Sequence, residues 1–298
     1  MCTIGVDLWG GDNGPATAAE AVALALPKLP SKTQIHLFGP EEQANILRSK
    51  FPQLKFTAAP QFISMAGEPQ QELSTKTKNA LLIGLTALAN RQISGFASAG
   101  NSGAVLLAAL QTVGLQHGFQ RPALAAFIPT LSGEEHLLLD AGLNANCQAL
   151  HLQQFAHLGS QYLKKRQREP RVYLLNNGLE ANKGSRLQKK AYQLLQADKN
   201  LNFKGNLEPR DLYQGPAKII VTDGYTGNLI LKQAEALYLL AKSRNLEDDY
   251  FSLFNYENYG GAPILGLKDK VVLGHGAGNA KALKNMILTT ARWAQGNL

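Results

Sequence analysis

Five times along this chain an apolar, strand-like run breaks into a short loop rich in glycine, asparagine and aspartate, then continues into a helix-like pattern. The loops are Gly10-Gly11-Asp12-Asn13-Gly14-Pro15, Ser98-Ala99-Gly100-Asn101-Ser102-Gly103, Asp140-Ala141-Gly142-Leu143-Asn144-Ala145-Asn146, Asp223-Gly224-Tyr225-Thr226-Gly227-Asn228 and Gly274-His275-Gly276-Ala277-Gly278-Asn279. Strands alternating with helices in this way predict an α/β protein, a three-layer αβα fold whose mainly parallel sheet is covered on both faces. If the strands are neighbours in one sheet, all five loops open on one edge, where open α/β proteins bind ligands.

Strands are expected near residues 3–8, 34–38, 55–57, 61–64, 95–98, 123–128, 136–139, 171–175, 218–222 and 271–273. Helices are expected near 16–26, 41–49, 78–90, 104–113, 149–165, 185–196, 229–243 and 280–293. Pro15 suits a first helical turn, and Asp12, Asn13 or Ser102 can cap exposed donors. Residues 245–259 show no clean period, and no internal repeat occurs. A chain of 298 residues with 45% hydrophobic content can form one large α/β domain or two interlocked lobes. The adopted reading is a single α/β domain over 1–298, with 229–259 as a helical excursion within it.

Cys2 and Cys147 have no paired spacing, so neither a disulfide framework nor a zinc site is supported, and a reducing cytosol is the simplest compartment. The first residues do not read as a secretory signal, and no apolar run is long enough to span a bilayer. The net charge of +8 favours an anionic partner. The densest basic stretch, Lys164-Lys165-Arg166-Gln167-Arg168, falls at an expected helix end, where cations suit the dipole. It reads as a solvated helix end or as a docking point for an acidic partner. The basic residues do not form a stripe interleaved with aromatics, so a nucleic-acid partner is not expected.

Consecutive N–H groups at a helix start, next to glycines, form a ready anion site. Gly100 and Gly103 let backbone approach an oxyanion, and Asn101 and Ser102 add side-chain donors; the alternative is a turn that merely reverses the chain. Thr226, Gly227 and Asn228 form a second such group, or a turn with an N-cap. His275, between two glycines after an apolar strand, presents an imidazole at a strand's carboxyl end. Histidines 36, 117, 136, 151 and 157 lack that setting. Lys183 precedes a helix and reads as a surface charge or as a cation reaching a phosphate. Asp7, Asp140 and Asp223 each end a strand and are read as loop braces and helix caps, not as a metal site. Nucleotide-triphosphate loops, nucleophile elbows, zinc helices and a strict dinucleotide turn are absent.

At these loops the chain resembles the phosphate acyltransferase family of bacterial phospholipid synthesis, known as PlsX. The resemblance runs from Val6-Asp7-Leu8-Trp9-Gly10-Gly11-Asp12-Asn13-Gly14-Pro15 through Ser98-Ala99-Gly100-Asn101-Ser102-Gly103-Ala104, Arg121-Pro122-Ala123 and Asp140-Ala141-Gly142-Leu143-Asn144. It continues in order with Lys183-Gly184, Gly205-Asn206-Leu207-Glu208-Pro209-Arg210-Asp211, Asp223-Gly224-Tyr225-Thr226-Gly227-Asn228, Gly260-Gly261-Ala262-Pro263 and His275-Gly276.

The resemblance implies a fold similar to the phosphotransacetylase and isocitrate-dehydrogenase group. It also implies a homodimer with peripheral membrane contact, no cofactor, and conversion of acyl-(acyl carrier protein) and inorganic phosphate to acyl phosphate and free carrier protein. By position it assigns phosphate to Gly100, Asn101, Ser102, Gly103, Thr226 and Gly227. Lys183 supplies positive charge, Asn228 a hydrogen bond, and His275 phosphate binding or proton transfer. Three features depart from the family pattern. Lys76-Thr77-Lys78-Asn79-Ala80 stands where the family commonly reads Lys-Lys-Asp-Ser-Ser, Ala277 and Gly278 replace two serines, and the segment from Asn228 to Gly260 is shorter. Two rivals remain: a phosphotransacetylase-like enzyme using acyl-coenzyme A, and a divergent paralogue that binds carrier protein or phosphate without turnover.

Overall fold

The computed structural model describes residues 2–164, 169–214, 218–246 and 248–296. In chain order the strands are β1 (Cys2–Asp7), β2 (Thr33–Gly39), β3 (Lys55–Ala58), β4 (Gly95–Ser98), β5 (Ala123–Leu124), β6 (Ala126–Pro129), β7 (Glu135–Leu139), β8 (Arg171–Leu175), β9 (Asn202–Leu207), β10 (Ile219–Val221), β11 (Gly261–Leu265) and β12 (Val271–Gly274). The helices are α1 (Gly14–Ala25), α2 (Glu41–Lys50), α3 (Pro69–Thr75), α4 (Ala80–Ala89), α5 (Ser102–Thr112), α6 (Ala149–Leu163), α7 (Arg186–Ala197), α8 (Gly224–Ser243), α9 (Asp249–Ser252), α10 (Tyr256–Tyr259) and α11 (Ala280–Ala294). Two compact units result: Met1–Gln116 together with Tyr256–Leu298, and His117–Asn255.

In the first unit the strands run in the order β3-β2-β1-β4-β12-β11, and only β11 is antiparallel to its neighbour. Side chains alternate across a strand, so Ile4 and Val6 of β1 enter a core with Ala21 and Val22 of α1 and with Met286, Ile287 and Ala291 of α11. On the other face Phe38 and Phe96 meet edge-on at 6.0 Å under α4. Burial on both faces is why these strands read as unbroken apolar runs.

In the second unit the order is β6-β7-β10-β8-β9, parallel except for β6 against β7. Helix α8 lays Ile230 and Leu231 on Leu138, Leu175 and Ile220. Tyr213, Tyr250 and Phe254 pack edge to face beside them, at 5.4 and 5.3 Å between ring centroids.

Several expectations are corrected. The strands form two sheets instead of one, so the five loops divide into three and two. Residues 61–64 are not a strand: Gln61 makes a single bridge to Asn79, and the Ser64 N–H donates to Glu72 Oε2 at 2.8 Å, which turns the chain toward α3. The run 123–128 is split into β5 and β6. The Asp223 loop is already helix, because Asp223 Oδ1 accepts from the Thr226 N–H at 2.9 Å and caps α8 at Gly224. Residues Lys165 to Arg168 of the basic stretch lie outside the described residues, and α6 ends at Leu163. No described helix is long and apolar enough to cross a membrane.

Two glycines in the first turn of α8 cost helix propensity, and packing explains them. A Cβ on Gly227 would stand 1.9 Å from the Asp140 carbonyl oxygen. Gly227→Ala is therefore expected to lower unfolding free energy by about 2–3 kcal/mol, from forced separation of α8 and the Asp140 loop. Urea unfolding of the variant checks this; an unchanged midpoint would mean that the two backbones are not held in contact.

Candidate active site

Strands β1, β4 and β12 are adjacent and parallel, so the loops after Asp7, Ser98 and Gly274 open together on one edge of the first sheet. Their backbones are cross-linked. The Asp12 N–H donates to the Gly276 carbonyl at 2.8 Å, and Asn13 Nδ2 donates to the Gly278 carbonyl at 2.9 Å. Gly10 lies against the start of the next loop, where a Cβ would come within 2.8 Å of the amide nitrogens of Ala99 and Gly100.

Beneath these loops lies Asp7, only 4% exposed. Its Oδ2 accepts from Ser98 Oγ at 2.7 Å and its Oδ1 from the Trp9 N–H at 2.9 Å; Ser98 Oγ in turn accepts from the Gly100 N–H at 3.0 Å. Burial pushes the Asp7 carboxyl up from 3.8 to about 6, against the pull of its hydrogen bonds. At about 1.4 kcal/mol per pKa unit, this is about 3 kcal/mol. The contribution is fully present below pH 4 and lost as pH rises through about 6, so the ionised carboxylate opposes folding at neutral pH.

Asn101 caps α5: its Oδ1 accepts from the Ala104 N–H at 3.1 Å, and its Nδ2 donates to the carbonyls of Met65 at 2.9 Å and Gly67 at 3.3 Å. Of the expected phosphate group, Gly100 is buried with its N–H on Ser98, and Asn101 is occupied as a brace. Ser102 is exposed, and with Gly103 it forms the first residues of α5. His275 stands exposed at the end of β12, with its carbonyl accepting from the Gly278 N–H at 2.9 Å. Where the chain departs from the family pattern, Asn79 caps α4 by accepting from the Leu82 N–H at 2.9 Å, and Lys76 pairs with Glu72 at 2.6 Å.

In the second unit, β7, β10 and β8 are parallel neighbours, so the loops after Leu139 and Leu175 and the start of α8 share one edge. Asp140 is fully buried and organises its loop. Oδ2 accepts from the Asn144 N–H at 2.7 Å and from Asn144 Nδ2 at 2.6 Å; Oδ1 accepts from the N–H groups of Leu124, Gly142 and Leu143 at 2.9, 3.2 and 3.2 Å. Asp223 Oδ2 accepts from Thr226 Oγ1 at 2.9 Å, so the Thr226 hydroxyl completes the cap, while Asn228 is exposed one residue beyond buried Gly227.

Lys183 is exposed on the loop between β8 and α7, which two buried asparagines hold. Asn176 Nδ2 donates to the Lys183 carbonyl at 3.2 Å, and Asn206 Nδ2 to the Glu180 carbonyl at 2.9 Å. Half-buried Cys147 donates from Sγ to the Asn144 carbonyl at 3.4 Å, and burial pushes its thiol up to about 11. The supporting roles of Ser98, Asn176 and Asn206 were missed from sequence; a polar residue where an apolar run stops is the signal that Ser98 and Asn176 share, whereas Asn206 lies within the mixed strand β9 and carries no such mark.

A family model described as fatty acid synthesis protein matches residues 2–250. The chain is 36% identical over 309 aligned residues to a phosphate acyltransferase of Staphylococcus haemolyticus, covering 96% of this chain and 93% of that protein. It is 37% identical over 311 residues to one of Staphylococcus epidermidis, covering 96% and 94%. A solved phosphotransacetylase of Streptococcus pyogenes superposes with a TM-score of 0.67 over 99% of this chain and 94% of that one, at 16% identity, a likeness of fold. With that span and those relatives, the chain belongs to the fatty acid synthesis protein family, that of the phosphate acyltransferases known as PlsX.

Proposed function

We propose that the protein is a phosphate acyltransferase that moves an acyl group from acyl carrier protein to inorganic phosphate. The observation that carries this reading is the start of α5. Asn101 takes the Ala104 N–H and Ser98 takes that of Gly100, which leaves the amides of Ser102 and Gly103 to open the helix. Such a start favours a bound anion through its donors and its dipole.

Phosphate at neutral pH is already an anionic nucleophile and needs holding more than activation. One of its oxygens attacks the thioester carbonyl carbon, the carbonyl electron pair moves onto oxygen, and collapse of the tetrahedral oxyanion expels the carrier's thiolate. Products are acyl phosphate and free carrier protein. In this reading the loop of Gly100, Asn101, Ser102 and Gly103 holds phosphate through the amides of Ser102 and Gly103, whereas Thr226 and Gly227, expected as further phosphate-binding positions, have their donors taken by Asp223 and brace the start of α8 instead. Lys183 supplies positive charge, Asn228 a hydrogen bond to the developing oxyanion, and His275 a second phosphate contact or a proton. The family resemblance extends the proposal to a cytosolic homodimer touching the membrane surface, which sedimentation and vesicle flotation test.

Purified protein incubated with phosphate and a long-chain acyl carrier protein is expected to yield acyl phosphate, trapped as hydroxamate, at a higher kcat/KM than with acyl-coenzyme A. Lys183→Ala and His275→Ala are each expected to lower kcat/KM by about 10²-fold. Activity with coenzyme A thioesters alone would establish the phosphotransacetylase-like reaction instead; folded protein that gives no product yet binds phosphate or carrier protein in calorimetry would establish binding without turnover. Unchanged rates in both variants would overturn the residue roles even with activity present.

A direct attack by phosphate needs no acyl-enzyme, and a thiol with a pKa of about 11 holds almost no thiolate at neutral pH. Cys147→Ser and Cys2→Ser are accordingly expected to retain kcat within about twofold, and pretreatment with iodoacetamide at pH 7.5 to leave the rate unchanged. Stoichiometric loss of activity on alkylation, paired with an acylated cysteine in intact mass spectra, would replace this mechanism with a two-step one.

A further inference from the structure

We infer that Asp7, acting through Ser98, is a positioning residue for the phosphate loop. The inference rests on the proposed reading that the start of α5 binds phosphate. Asp7 and Ser98 lie at the ends of neighbouring strands β1 and β4 and are 4% and 0% exposed. A single hydrogen-bonded chain runs from the carboxylate to Ser98 Oγ at 2.7 Å and from the Gly100 N–H to the same Oγ at 3.0 Å. The hydroxyl donates downward and accepts from above, so both its proton and its lone pair are oriented. The effect is to draw the Gly100 N–H inward, and the next peptide units, ending at Ser102 and Gly103, are thereby turned toward the helix start. The other carboxylate oxygen holds the Trp9 N–H at 2.9 Å, which fixes the neighbouring loop against the same amides. Gly10 allows this approach, since any side chain would meet the Ala99 and Gly100 nitrogens.

Folding alone does not call for this carboxylate. Ionised in a buried place it opposes stability, and an asparagine would fill the same volume without charge. An asparagine, however, has one acceptor oxygen where the site uses two, so it cannot accept from both Ser98 and Trp9, and an amide turned to donate to Ser98 Oγ would reverse the hydroxyl's orientation. A residue that is costly to the fold and specific in its hydrogen bonds fits a role in shaping the anion site.

The test is a double-mutant cycle on the full chain with Asp7→Asn, Ser98→Ala and both together. It reads the dissociation constant for inorganic phosphate by calorimetry, kcat, and the urea midpoint at pH 7.5. Each single variant is expected to weaken phosphate binding about tenfold or more, and the double variant no further than the weaker single one. The Asp7→Asn midpoint is expected to equal or exceed that of the parent, which separates positioning from loss of structure; if that variant does not fold, Ser98→Ala carries the comparison. Additive losses, unchanged phosphate affinity, or tighter binding in Asp7→Asn would overturn the inference, the last by showing the carboxylate to be merely a repelling charge. In the parent, the backbone amide resonances of Ser102 and Gly103 are expected to shift on saturation with phosphate. If they do not, the phosphate site itself is misassigned and the inference falls with it; if they shift while the cycle shows no coupling, only the inference fails.

Discussion

Three carboxylates at the carboxyl ends of strands give the glycine-rich loops of each unit their shape. Asp7, Asp140 and Asp223 each sit where an apolar strand gives way to glycine-rich backbone, and each accepts from N–H groups that its own loop would otherwise leave unpaired. A loop of this composition has little side-chain mass with which to pack, so its shape must come from hydrogen bonds. Charged acceptors form stronger ones than neutral acceptors do. Such carboxylates are costly to bury, and Asp7, held near 6, shows how far burial can outweigh its partners.

Much of the local architecture was legible in the sequence because it depends on short-range rules. The apolar runs before Gly10, Ser98 and Gly274 are strands; of the caps expected at Asp12, Asn13 or Ser102, Asn13 precedes α1 without a side-chain cap bond, and Asn101, not Ser102, caps α5. The errors arise where one residue type serves two purposes. Gly224 and Gly227 read as loop formers, yet they are small residues inside a helix that must approach another backbone. Strand β9 was missed because Lys204-Gly205-Asn206 interrupts the alternation that marks a strand, and β11 because Pro263 reads as a breaker.

Partner choice was beyond such rules. Nothing local tells β4 that its neighbours are β1 and β12, and nothing local separates one sheet from two. The same holds for the site: Ser98 and Asp7 are 91 positions apart, and the asparagines that hold the Lys183 loop lie on β9 and just after β8. The exposed groups Lys183, Asn228 and His275 stood out in the sequence, and so did Asp7, Asp140 and Asp223 as loop braces and caps, while Ser98, Asn176 and Asn206, which help to aim the backbone, did not.

The connectivity of the first unit has a consequence for biosynthesis. Strand β12, from late in the chain, lies between β4 and β11, inside the sheet and not at its margin. While a ribosome is still making the polypeptide, β4 has an open flank, whereas the second unit is contiguous from His117 to Asn255 and has all its strands in hand earlier. Domains fold as units during synthesis, so the middle of this chain can settle before its beginning does. Until β12 is inserted, the exposed hydrogen-bonding flank of β4 is a place where nascent chains can pair with one another.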